Sequence, residues 1–172
     1  MKRLTFTVPG DPKSLKRHQT VPLLKCNTCG HKCQGQRQGC PKCGGTLTFL
    51  TNIGYDPAEN AMYKNLAALF ARQAMTEQKV DMFTGGALGV ECDFYFLIPP
   101  SRKKLREGEW HCQRPDVDNL KKMALDALIK LIYADDCIIA TIKATKRWTK
   151  NNPRAEITIY ELGEPSVESK SQ

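Results

Sequence analysis

The sequence predicts a mixed α+β domain, with two helices packed on one sheet, interrupted near its start by a small metal-binding ribbon. Three observations lead there. Short alternating apolar runs recur along the chain, at 3–8, in ALGVECDFYFLIP, in CIIATIKATKRW and in RAEITIYEL. Two longer segments, 57–78 and 116–131, carry apolar residues at helical spacing. Two Cys-x-x-Cys knuckles, at 26–29 and 40–43, sit in a stretch with little apolar content of its own.

The opening RLTFTV alternates and is expected to be a strand. PGDPKSLKRHQT follows as a basic loop punctuated by Pro and Gly. The cysteine segment occupies 24–50 and closes on TLTFL, a short strand. The first helix opens with Asp56 as N-cap and Pro57 at its first position. Its expected inner face is Met62, Leu66, Leu69, Phe70 and Ala74. The next strand turns Val90, Cys92, Phe94 and Phe96 to one side, and a long basic loop covers 99–114. The second helix buries Val117, Leu120, Ala124, Ala127, Leu128 and Leu131. Two strands joined by the turn-like TKNNP finish the domain. The order thus predicts a domain over 1–162 that contains the 24–50 ribbon, and a disordered tail over 163–172.

With 26 Lys and Arg against 18 Asp and Glu, the formal charge is +8, which favours a polyanionic partner, nucleic acid first. The cations gather in loops: Lys13, Lys16, Arg17 and His18, then Arg102, Lys103, Lys104 and Arg106. No apolar run approaches the roughly 20 residues of a membrane helix. MKRLTFTVPG reads as a strand and not a signal peptide, so the expected compartment is the cytoplasm. There the eight cysteines are expected to stay reduced, and clustered ones to bind metal. Cys92 and Cys137 lie in apolar runs and read as small buried residues; Cys112 lies in a polar loop.

Cys26-Asn-Thr-Cys29-Gly and Cys40-Pro-Lys-Cys43-Gly are matching knuckles. Each turns the chain tightly, and the following glycine permits the positive φ the turn needs. Four thiolates suit tetrahedral zinc and leave no open position, so the ribbon is expected to be structural. His31 and Cys33 lie between the knuckles but fit neither. Lys25, Lys32, Arg37 and Lys42 surround the site and either contact phosphates or solvate the module.

RPDVDNLKKMALDALIKLIYADDCIIA carries the other chemistry. Asp116 and Asp118 flank one valine at the start of the second helix, where its dipole favours carboxylates. Capping accounts for one of them, less well for a second acidic pair at Asp135 and Asp136. Asp118, Lys122 and Asp126 share a polar face, as in an ordinary salt-bridged surface. Should the carboxylates converge, oxygen ligands of this kind suit Mg²⁺.

The same stretch resembles the signature of the RusA family of Holliday junction resolvases: Lys/Arg-Pro-Asp-x-Asp-Asn-Leu-x-Lys, then Asp-Ala-Leu, then Asp-Asp. The first strand with its Gly-x-Pro loop, the basic loop at 101–106, and Lys143 and Lys146 after the acidic pair are also similar. The resemblance implies a Mg²⁺- or Mn²⁺-dependent endodeoxyribonuclease, a homodimer acting on four-way junctions. It implies metal-holding roles for Asp116, Asp118 and Asp136 and a role at the scissile phosphate for Lys122. Asp135, Asp126 and His111 match recurrent positions without a defined role. The implied DNA contacts are Lys13, Lys16, Arg17, Arg102, Lys103, Lys104, Lys143 and Lys146. The four-cysteine ribbon departs from the compact family pattern and leaves substrate preference open. The competing readings are a non-catalytic zinc-ribbon DNA-binding protein and a nuclease for flaps, other branched DNA or RNA.

Overall fold

The computed structural model describes residues 1–15, 19–55, 57–102 and 104–163, with backbone alone for Gln19 and Tyr55. Asp56, Lys16, Arg17, His18, Lys103 and the tail from 164 onward, all given roles above, lie outside the described residues. The chain forms two compact units, Lys16–Ala61 and Met1–Leu15 with Met62–Gln172.

The larger unit is a four-stranded sheet with two helices. Its strands are β1 (Arg3–Pro9), β5 (Leu88–Leu97), β6 (Ile139–Thr149) and β7 (Arg154–Glu161), in the order β1-β7-β5-β6. β7 runs antiparallel to both β1 and β5, while β5 and β6 are parallel. Parallel neighbours need a crossover, and helix α2 (Val117–Leu128) lies in the chain between them. Alternation turns Leu4, Phe6 and Val8, then Val90, Cys92, Phe94 and Phe96, then Ala155, Ile157 and Ile159 into one buried cluster. Gly89 lies opposite Tyr160, whose ring occupies the space a side chain would need: a Cβ there would sit 2.5 Å from the ring.

Helix α1 (Ala58–Gln78) shows the first correction. Its buried face is Tyr63, Ala67, Ala71 and Ala74, with Phe70 half-buried; Met62 (72% exposed), Leu66 (37%) and Leu69 (60%) face outward. The helix is apolar on both sides, so periodicity alone does not choose between them. The alanines let its backbone approach the core closely, and the long side chains are left outside.

α2 buries Leu120, Met123, Ala124, Leu125, Ala127 and Leu128. Val117 is 38% exposed, and the helix ends before Leu131, because Lys130 takes a left-handed φ of 63° and the chain turns to pair Phe83 with Tyr133. The assignment of Cys137 as buried is also corrected. It lies exposed in a 3₁₀ turn, Asp136–Ile138, because the Asp135 carboxylate accepts its amide at 2.9 Å and holds the turn ahead of β6. Cys92 is buried as expected. Along β6, the segment from Gly108 to His111 adds backbone bonds: Gly108 N to Trp148 O, Trp148 N to Glu109 O, and His111 N to Lys146 O. This covers the C-terminal end of the β6 edge, around Lys146–Trp148.

The smaller unit holds a three-stranded antiparallel sheet, β3-β2-β4, built from β2 (Gln19–Cys26), β3 (Lys32–Gln34) and β4 (Leu47–Tyr55). Its strands begin before and end after the 24–50 cysteine segment. A bulge between Leu23 and Leu24 adjusts the β2–β4 register. Among the described residues, no helix is long and apolar enough to cross a membrane.

Candidate active site and metal centre

The knuckles close as their spacing predicts. The Sγ atoms of Cys26, Cys29, Cys40 and Cys43 all lie within 4.8 Å of one another. Cys26 and Cys43 approach to 3.5 Å, and Cys29 and Cys40 to 3.6 Å. A tetrahedron of ~2.3 Å metal–sulfur bonds has edges of about 3.8 Å, so the quartet has the size of such a shell. Backbone amides of Cys29 and Lys42 point at Cys26 and Cys40 Sγ, and Gly30 and Gly44 take φ of 70° and 73°. The Cys29 amide does most to pull Cys26 down to about 6. At Cys43 the Gly45 amide works in the same direction but is outweighed by the neighbouring thiols of Cys29 and Cys26, which push it up to about 12. Thiols this crowded cannot all ionise without a cation among them, the behaviour of a metal shell. Cys33 is buried in β3, and neither it nor His31 belongs to the quartet.

The acidic motif belongs to the larger unit. Asp116 occupies the N-cap of α2 with extended backbone but makes no capping bond, and Asp118 is exposed in the first turn. Among the described residues neither carboxylate has a hydrogen-bond or salt-bridge partner, so capping does not explain the pair. Asp126 and Asp135 do have structural partners. Asp126 lies 3.6 Å from Lys64 of α1, and Asp135 accepts from the Cys137 amide, which lowers its pKa. Asp136 is exposed beside Asp135. Among the described residues, the cysteine quartet is the group of three or more His, Cys, Asp or Glu side chains gathered closely enough to share a metal ion; Asp116, Asp118 and Asp136 do not form such a group. Lys122 is exposed on α2.

The approach to α2 is held from two sides. The Lys146 ammonium donates to the carbonyls of Gln113 at 2.6 Å and Pro115 at 2.7 Å, and Leu15 N donates to Asn119 O at 3.1 Å. The Arg114–Pro115 peptide is cis. Ser14, Arg114, Pro115, Asp116 and Asn119 line one cleft; Ser101, Arg102, Lys104 and Leu105 line another. Asn119 stood within the quoted motif without an assigned part, and nothing in the sequence marked Ser14. Of the basic residues, Lys13, Arg102, Lys104 and Lys143 are exposed, whereas Lys146 is committed to the two carbonyls.

His111 is buried between Phe96 (ring centroids 4.3 Å apart) and Trp148 (4.1 Å). Its Nδ1 has no hydrogen-bond partner among the described residues. Burial is the main cause that lowers its pKa; Lys146 and Arg102 act in the same direction.

At the start of α2, then, Asp116 lines a cleft together with Arg114, and Asp118 is exposed in the first turn of the same helix. The family follows from comparison. The endodeoxyribonuclease RusA family model matches residues 41–160, and the chain belongs to that family. An uncharacterized protein of Bacillus subtilis (strain 168), YqaN, is 33% identical over 115 residues, covering 62% of this chain and 78% of its own. The crossover junction endodeoxyribonuclease rusA of Lactococcus phage r1t is 30% identical over 128 residues, covering 74% of this chain and 88% of its own. The family match begins inside the second knuckle and takes in β4, α1, β5, α2, β6 and nearly all of β7.

Proposed function

We propose that this protein is a metal-dependent endodeoxyribonuclease that resolves four-way junctions, and related branched DNA, during recombination and repair. The observation that carries the reading is the Asp116/Asp118 pair, unengaged by cap or ion pair, inside the family match. Asp116, Asp118 and Asp136 are the proposed ligands of Mg²⁺ or Mn²⁺. Their hard oxygen donors fit such an ion, which keeps waters and needs few protein ligands. When bound, it supplies charge that polarises a phosphodiester and acidifies water. Lys122, one helical turn beyond Asp118, offers its ammonium to charge developing on the phosphate. Arg114, Lys13, Arg102, Lys104 and Lys143 hold the DNA backbone by charge, independently of sequence.

The cysteine quartet is proposed to hold zinc in a closed structural shell, and the reduced thiols it requires suit the cytoplasm. The partner is proposed to be a second copy. A four-way junction has two-fold symmetry, and two matched nicks call for two equivalent sites. The outward stripe of Met62, Leu66 and Leu69 on α1 supports a self-association face.

Cleavage of a labelled four-way junction, with and without Mg²⁺, beside Asp118→Asn, tests the reading. Nicking that requires the ion, lost by about 10³-fold or more in the variant, is expected. Junction binding without ion-dependent nicking would refute it and favour the non-catalytic alternative. Faster cutting of flaps or RNA would reassign the substrate.

A further inference from the structure

The register of the small sheet sets two lysines side by side. Lys25 of β2 lies directly opposite Lys32 of β3. Cys26 N donates to His31 O and Gly35 N to Pro22 O, so the hydrogen-bonded pairs flank this one alternately. Lys25 and Lys32 therefore occupy a non-hydrogen-bonded pair, the closer spacing, with Cα atoms about 4.5 Å apart. Thr48 of β4 continues the row on the other side of Lys25, and Gln34 lies on the same face one pleat along. Lys25, Lys32, Gln34 and Thr48 are all exposed. Cys33, on the opposite face of β3, is buried.

Like charges directly opposite one another destabilise a strand pair. Here the sequence offers no nearby relief, for 19–55 contains Lys25, Lys32, Arg37 and Lys42 and not one Asp or Glu. Arg37 is turned to the Gln34 carbonyl at 3.2 Å. A repulsive pair with an open face, in a sheet segment that contains no Asp or Glu from 19 to 55, suits an anion from outside.

We propose that the Lys25–Lys32 row is a phosphate-binding face, through which the ribbon grips the backbone of a DNA duplex arm. This rests on the reading that the protein acts on DNA and deepens it by assigning the ribbon a contact of its own. The competing account is that the lysines only offset the charge of the four thiolates.

The test uses the full-length protein, zinc-loaded, with a labelled four-way junction and no added magnesium, across a salt series. For Lys25→Gln/Lys32→Gln, affinity is expected to fall severalfold, and the slope of log K against log salt to shrink by about two, one per lost phosphate contact. Zinc content is expected to be unchanged, and Lys25→Arg/Lys32→Arg to bind like the wild type. Lys32→Glu adds a second readout, since it replaces repulsion with an ion pair: the ribbon should hold as well or better while DNA binding weakens. Unchanged affinity and slope in the double variant would overturn the proposal, as would loss of zinc from it. Failure of the nuclease reading is separable. A wild type that binds DNA with the full salt slope but never nicks it sinks that reading and leaves this one standing.

Discussion

The Lys146 ammonium donates to the Pro115 carbonyl oxygen at 2.7 Å, one residue before Asp116. A second bond, to Gln113 O at 2.6 Å, makes this lysine the tie between β6 and the start of α2. A family-like basic residue expected to touch DNA is therefore already engaged by the protein. Replacing it with methionine leaves two carbonyls without their cation. Lys146→Met is expected to cost about 1–3 kcal/mol in urea unfolding. It should also slow nicking more than it weakens junction binding, because Asp116 loses its support. A variant of wild-type stability that binds DNA with a salt slope smaller by one would instead return Lys146 to the DNA surface.

His111 links the same segment to pH. Its pKa is lowered from the usual 6.5, first by burial between Phe96 and Trp148. The sign follows: the fold prefers the neutral ring, so below 6.5 the unfolded chain takes up protons that the folded chain refuses. Stability is expected to fall as pH drops through 6.5 towards the lowered value. His111→Phe keeps the stacking and removes the titration. Melting temperature measured between about pH 7.5 and pH 5 should drop more steeply for the wild type than for the variant. Parallel curves would mean that the imidazole does not titrate differently in the fold.

The cysteine quartet predicts a metal-dependent ribbon. Cys40→Ser is expected to lower zinc from about one per chain to a small fraction and to open 19–55 to proteolysis. Among the described residues, the buried cluster of the larger unit is built from residues 4–8 and 63–159, so its helices and sheet should persist. Full zinc content in a folded Cys40→Ser protein would contradict the four-thiolate shell.

The outward stripe on α1 predicts the oligomer. Leu69, 60% exposed, is expected to become buried against a second copy. Leu69→Glu should weaken self-association at least about tenfold by sedimentation while leaving the fold intact, since the residue lies outside the core. A wild type that is monomeric at high concentration would remove the dimer from the proposal.

Much of this was legible in the sequence, and the limits have physical causes. Alternation in RLTFTV and VECDFYF marks both as strands, and in the second it also picks the inner face, Val90, Cys92, Phe94 and Phe96, because period two admits only two choices of face. The knuckles were legible because metal ligation constrains spacing locally. α1 was misread at Met62, Leu66 and Leu69 because an alanine-rich helix is apolar on both sides, and only the close approach of Ala67, Ala71 and Ala74 to the core selects one. Cys137 was misread because a carboxylate two residues earlier, not hydropathy, orients its turn.

By itself, the sequence determined the composition of the chemistry: a family motif with its carboxylates, a closed thiolate quartet, and a cationic surface. Only the tertiary structure decided how those groups are employed. It ties Asp126 to Lys64, Asp135 to an amide and Lys146 to two carbonyls, and it leaves Asp116 and Asp118 without a partner among the described residues. It also sets Lys25 against Lys32. Whether a charge is already compensated depends on neighbours distant in the chain, and those are brought near only by strand register and helix packing.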